Sequence, residues 1–325
     1  MIKTFSFKKY VRKGLAVLLV CNIFLTGNNM EVQAKNYTSK PTKVFDVDRR
    51  NNNLGAMAIN GSTLYCIHNI DDKKAVLYTY TNYNNSKRKL QSEKCFYGLG
   101  HANSMTYNNG SLYVATMQAG TSAIVEINLK TDELTAHSFS HAISGIAYMN
   151  DTGKFLICYG GTNKENKRKI AVANIMPELP RRVNSSVNPD IKGLTNEIKK
   201  VGSSNKETVS IMMKIGYNIS IEKEFYINVS KPIKEGHSTF QSIYYSKGAL
   251  YINSWKPGTS SNKILKVSIG TNPSKGKTYT ASDTITATGS DGFEIESVVM
   301  VGTTLYLCAN RSSKDGIYKI ANAFK

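Results

Sequence analysis

From residue 54 to the end of the chain, short apolar runs of five to eight residues alternate with polar breaks rich in Gly, Asn, Asp and Ser. Runs this short, rich in Val, Ile, Leu and Tyr and bounded by turn residues, predict β-strands rather than helices. One unit recurs. A strand of small and apolar residues leads into a glycine-containing turn and then a Leu-Tyr strand: GAMAINGSTLYCIH from Gly55, NSMTYNNGSLYVAT from Asn103, QSIYYSKGALYINS from Gln241 and ESVVMVGTTLYLCA from Glu296. A degenerate copy, SGIAYMNDTGKFLICY, starts at Ser144 with two extra turn residues. The NG, NNG, KG and VG turns supply the positive φ that a tight hairpin needs. Third strands follow at Ala75, Ala123, Lys263 and Gly316, and candidate fourth strands at Lys94 and Thr135.

Small antiparallel sheets repeated from one template predict an all-β propeller. The anchors Leu64, Leu112, Phe155, Leu250 and Leu305 are separated by 48, 43, 95 and 55 residues, which are blade lengths apart from one double gap. Five blades with a long insertion is the first expectation; six, with a divergent blade within 175–235, is the alternative. The last copy stops after three strands, whereas Thr42–Val47 reads as a strand without a local partner. Pairing that N-terminal strand with the last blade closes the ring and removes two exposed sheet edges. The stretch 161–206 is polar and basic and reads as an exposed loop insertion with a short helix near 191–200.

Composition adds a compartment. Residues 1–34 read as a secretory signal peptide: a basic n-region (Lys3, Lys8, Lys9, Arg12, Lys13), an apolar stretch from Gly14 to Leu25, and Val-Gln-Ala before a cleavage point after Ala34. No later segment is apolar enough over sufficient length to cross a membrane. The domain 35–325 is therefore expected outside the cell, secreted or associated with the wall, as a monomer. It carries 37 basic against 22 acidic residues, a formal charge of +15. Such a surface attracts polyanions, and Lys164, Lys167, Arg168, Lys169, Arg181 and Arg182 form its densest cluster. Cys66, Cys95, Cys158 and Cys308 lack CxxC spacing, which removes support for a zinc or redox motif; the reading is of free buried thiols.

Aligning the copies places Gly55, Asn103, Ser144, Gln241 and Glu296 at one equivalent position on the innermost strands. Asn53, His101, Ala142, Thr239 and Glu294 stand two residues earlier. Strand period puts both sets on one face, pointing into a central channel. His101, Asn103, Gln241, Glu294 and Glu296 are thus candidate ligand-binding residues, with Lys167, Arg168 and Lys169 as a polyanion contact. Glu296 and Asn103 are candidate ligands for Ca²⁺. Trp255 with Tyr83, Tyr97 and Tyr159 is a candidate stacking surface for sugars. No GxSxG, HExxH, Walker or dinucleotide motif is present, and nothing indicates sequence-specific nucleic-acid binding.

The segments GHANSMTYNNGSLYVA, TFQSIYYSKGALYINSW and GFEIESVVMVGTTLYLCAN resemble a family of Gram-positive extracellular propellers that includes helveticin J-like bacteriocins, a teichoic-acid-associated wall protein and phage receptor-binding proteins. Where members carry a HAND-type segment, this chain has His101-Ala102-Asn103-Ser104, without the acidic residue. The resemblance implies a propeller that recognises cell-wall polymers. The expectation from sequence is therefore a non-catalytic secreted module that binds an anionic wall polymer or glycan and is bacteriocin-like. The alternative is a metal-dependent propeller hydrolase of the lactonase or phosphodiesterase type.

Overall fold

The computed structural model describes residues 34–47, 54–70, 74–97, 99, 101–118, 121–139, 141–160, 167–175, 213–216, 219–228, 239–255, 259–290, 292–311 and 315–325. The predicted signal segment, the helix near 191–200, Lys164, Arg181 and Arg182 lie outside the described residues. The compact unit Ala34–Lys325 is a five-bladed β-propeller.

The first blade is β3 (Leu54–Asn60), β4 (Thr63–Asn69), β5 (Lys74–Thr81) and β6 (Lys89–Tyr97). The second is β7 (His101–Asn108), β8 (Ser111–Gln118), β9 (Thr121–Asn128) and β10 (Leu134–Phe139), with β14 (Met213–Gly216) added in parallel. In the third, β11 (Ile143–Met149), β12 (Lys154–Tyr159), β13 (Lys167–Ile175) and β15 (Ile219–Asn228) are extended by β19 (Thr278–Tyr279). The fourth holds β16 (Thr239–Ser246), β17 (Ala249–Trp255), β18 (Ser261–Ser268) and β20 (Asp283–Thr288), flanked by β1 (Lys35–Ser39). In the last, β21 (Glu294–Val301), β22 (Thr304–Asn310) and β23 (Gly316–Ile320) receive β2 (Thr42–Asp46) as an antiparallel fourth strand. That pairing closes the ring, as the lone N-terminal strand predicts.

Among the described residues of 175–235 there is no sixth blade: β14 and β15 join two blades that already exist. The hairpin turns follow their sequence. Asn109-Gly110 and Lys247-Gly248 both hold two consecutive positive φ angles (44° and 83°; 49° and 76°), the type I′ geometry that matches strand twist. In each, the turn glycine N–H donates to the hydroxyl of the tyrosine three residues back, Tyr107 or Tyr245, at 3.0 Å.

The core is not central. Five apolar clusters fill the spaces between neighbouring blades, one per interface, and the cluster between last and first blades joins Phe45, Val299, Tyr306, Cys308 and Ile317 to Leu54, Leu64, Cys66 and Tyr78. Each sheet is therefore covered on both faces, which explains why runs such as FLICY are buried throughout instead of alternating. The anchors Leu64, Leu112, Phe155, Leu250 and Leu305 are all 3% exposed or less. Full burial of each contributes about 2–3 kcal/mol.

Candidate functional site

Every innermost strand breaks its register at the same place. The shift falls between Leu54 and Ala56, Ala102 and Ser104, Ile143 and Gly145, Phe240 and Ser242, and Ile295 and Ser297. The unpaired extra residues are Gly55, Asn103, Ser144, Gln241 and Glu296, the five positions equivalent in sequence. Each blade thus carries a β-bulge facing the axis, a device that re-aims a side chain and leaves local backbone unpaired.

Asparagines of the preceding blade take up that backbone. Asn310 accepts from the Leu54 N–H (2.8 Å). Asn69 accepts from the Ala102 N–H (3.1 Å). Asn262 accepts from the Ile295 N–H (2.8 Å), and Asn253 donates to the Ile295 carbonyl (2.6 Å). All three targets are the residue just before a bulge. Serines on the inner strands add crosslinks: Ser104 Oγ accepts from the Ile146 N–H (3.1 Å) and Ser297 Oγ from the Met57 N–H (3.2 Å). Buried backbone amides left unpaired are expensive, so these side chains lock the inner strands at the height where the bulges lie. Gly55 is glycine because a Cβ there would overlap the Ala102 carbonyl oxygen and press on Asn69 Nδ2.

An arc of polar groups runs along this level over three blades. On the third, Arg168 reaches from β13 and donates from Nη2 to Ser144 Oγ (2.8 Å), while its guanidinium carbon lies 5.7 Å from the centre of the Phe240 ring. On the fourth, Gln241 Nε2 donates to Glu294 Oε1 (2.6 Å). On the fifth, Glu294 and Glu296 hydrogen-bond to each other, and Asn310 Nδ2 donates to Glu296 Oε1 (2.7 Å). The backbone bond from Leu54 to Asn310 Oδ1 fixes which end of that amide faces the acid. Behind the pair, buried Asp315 faces His68 at 3.7 Å and accepts from the Arg311 N–H.

Glu296 is 7% exposed and Glu294 half-buried. Burial pushes the Glu296 carboxyl well above the ordinary carboxylate range, the charges of Glu294 and Asp315 push it further, and the Asn310 amide opposes them. Burial also raises Glu294, against the hydrogen bonds from Gln241 and Glu296. Of the two, Glu296 is pushed further toward its protonated form, which makes it the acid side of the pair and Glu294 the base side.

The remaining sequence candidates fall as follows. Asn103 is half-buried and His101 exposed on β7, which comes within 8 Å, Cα to Cα, of both β16 and β21. Neither joins the hydrogen bonds of the arc. Lys167, Arg168 and Lys169 are not part of a free loop: they open strand β13, where Lys169 pairs with Glu224 at 3.4 Å. Of the aromatic candidates, the Tyr97 side chain lies outside the described residues, and the other three do not form a shared exposed platform. Tyr83 is buried in the core between the last and first blades, Tyr159 is buried on the third, and the Trp255 indole N–H is spent on the Thr259 carbonyl. Sequence reasoning misses Asn310, Asp315 and the inward reach of Arg168. Asn69 and Asn310 share the fifth position after their Leu anchors, a signal visible in the aligned repeats.

As for Ca²⁺, no cluster of three His, Cys, Asp or Glu suited to a metal occurs among the described residues. Among the described residues, no helix is long and apolar enough to cross a membrane.

No family model matches the sequence, and no curated protein matches it. Solved structures do resemble the fold. A GH43 β-xylosidase/α-arabinofuranosidase from a compost microbial metagenome, solved with xylotriose, has a TM-score of 0.50 at 10% identity over 87% of this chain and 93% of that one. A bifunctional GH43-CE protein of Bacteroides eggerthii gives 0.49 at 14% identity, over 87% of this chain and 34% of that much longer one. A luciferin-regenerating enzyme gives 0.46 at 12% identity, over 87% and 96%. These neighbours are enzymes. The likeness to an enzyme of this fold runs against the expectation of a non-catalytic module, and it gives the wall-polymer, teichoic-acid and bacteriocin-like terms no support. The chain is a five-bladed β-propeller, similar in fold to the compost-metagenome GH43 enzyme.

Proposed function

We propose that this protein is a propeller hydrolase of carboxylic esters or lactones, acting at the axis with Glu294 and Glu296 as its acid–base pair. The observation that carries this reading is the pairing of those two carboxyls, one of them 7% exposed, with burial raising both and Glu296 the more. Glycoside cleavage by two carboxyls needs them about 5–9.5 Å apart, flanking the sugar. Two that hydrogen-bond to each other leave no such room. An ester needs only one base that later becomes an acid. The Glu294 carboxylate takes a proton from water as the water oxygen bonds to the carbonyl carbon. It then returns that proton to the departing alkoxide as the C–O bond breaks. Glu296 keeps its own proton, neutralising part of the charge at the pair. Burial raises Glu294 and makes it a stronger base than a free glutamate.

Likeness in fold to carbohydrate-active propellers supports a sugar lactone or an acylated sugar as substrate, and the leader-like residues 1–34 support action outside the cell. The test is turnover of aryl esters and aldonolactones by purified protein, in EDTA and in Ca²⁺. Glu294→Gln should lower kcat by about 10²–10⁴-fold, with equal rates in both media. Inertness toward the whole panel would remove the reading, and so would undiminished turnover by the variant.

A further inference from the structure

Arg168 is the one member of the arc that the acid–base chemistry leaves idle. Its surroundings differ from those of the paired lysines on the same molecule. Lys94, Lys154, Lys169 and Lys266 each face a carboxylate. Arg168 is part-buried, and among the described residues no carboxylate pairs with it. Its contacts are the Ser144 hydroxyl at 2.8 Å, Cys158 Sγ at 3.5 Å and the Phe240 ring. A guanidinium offers five N–H donors, and these contacts use two. Ser144 is itself fixed, donating to the Cys158 sulfur (3.2 Å). The fork is thus aimed by a neutral hydroxyl and a ring, and among the described residues its charge is uncompensated and its remaining donors are unspent. Withdrawing such a charge from water without a counter-ion is costly, and a planar fork matches a carboxylate or phosphoryl group.

Position gives this a use. Ser144 is the bulge residue of the third blade, and Phe240 directly precedes Gln241, the bulge residue of the fourth and the donor to Glu294. The guanidinium therefore stands at the level of the acid pair, with only the fourth blade between them. We propose that Arg168, oriented by Ser144, seats an anionic group of the substrate, a carboxylate or a phosphoryl group, while the acid pair attends to the ester. This rests on the hydrolase reading for its second half only, because binding of the anion needs no turnover.

The test measures binding, not catalysis. Thermal shift and calorimetry are run with glucuronate, glucose 6-phosphate and glucose at matched ionic strength. Glucuronate or glucose 6-phosphate should stabilise the protein, and whichever binds identifies the anion; neutral glucose should not. Arg168→Met should weaken that binding about ten- to a hundredfold, the equivalent of one charged hydrogen-bonded contact. Arg168→Lys, which keeps the charge without the fork, should fall between. Should the Met variant not fold, Arg168→Lys and Ser144→Ala serve alone, and both must weaken binding. The proposal is overturned when neither anion outdoes glucose, or when the variants bind as the parent does. Anion binding without hydrolysis of any ester would sink the hydrolase reading and leave this one standing.

Discussion

Replacing Glu296 with glutamine tests its assignment as the acid through stability alone. The glutamine side chain of Glu296→Gln keeps both bonds of the protonated acid: its amide N–H₂ donates to Glu294, and its carbonyl accepts from Asn310. It cannot ionise. In the parent the folded-state pKa lies well above that of the unfolded chain, which is about 4.3. Below the unfolded value both states hold the proton, and parent and variant have the same pH dependence. Above it the unfolded chain releases a proton that the fold retains, so stability falls as pH rises, by about 1.4 kcal/mol per pH unit. The decline ends at the folded pKa. Between those two pKa values the parent should lose stability relative to the variant at that slope, about tenfold in the folding equilibrium per pH unit. Urea unfolding of both proteins at half-unit steps, with unchanged m-values, reads this directly. Parallel stability curves would mean that no proton is held at the pair, and the acid–base assignment would fail with it.

Gly55→Ala drives a Cβ into the Ala102 carbonyl oxygen, so the first two blades must part or release Asn69. A loss of at least about 2 kcal/mol is expected, and an unchanged urea midpoint would refute the clamp. Burial raises the Cys66 and Cys308 thiols, so neither should react with an aromatic disulfide reagent at pH 8 until the protein unfolds; rapid labelling of either in the native state would contradict the closure of the ring at that seam.

The propeller is legible because its repeat is a packing requirement. Each copy must put a large apolar residue after the turn to fill a space between blades, and the five anchors do so. What the pattern does not mark lies at the outer rim. β1 (KNYTS), β14 (MKIG) and β19 (TY) add to blade edges in parallel. They bind through backbone with at most one core-facing ring each among the described side chains, Tyr37 of β1 and Tyr279 of β19, so no apolar pattern reveals them. The double gap invites a sixth blade for the same reason: β15 lies far along the chain from β13, its partner in the third blade, and only pairing shows that it is a fourth strand.

At the axis the sequence locates the right slots through reasoning that is half complete. Period two alone puts Glu294 and Glu296 on one face, but a bulge shifts that alternation by one residue and leaves no mark in a single strand. It is visible only as an equivalent position in five aligned copies, occupied by Gly, Asn, Ser, Gln and Glu. Arg168 reads as loop because KENKRK is polar and the apolar strand signal begins only at Ile170. The strand opens three residues earlier because its first residues need only backbone partners, from Asn228, Ile227 and Tyr226. The bulge therefore separates two demands that usually conflict. The asparagine clamps at three slots, together with the interblade cores, fix the backbone there, and the side chain at the bulge is released from packing. That freedom lets one blade carry a protonated glutamate, a neighbour an amide and the next a serine that aims a guanidinium. The blade with glycine at this slot is also the one where the clamp leaves no space for a side chain, so the polar arc ends there.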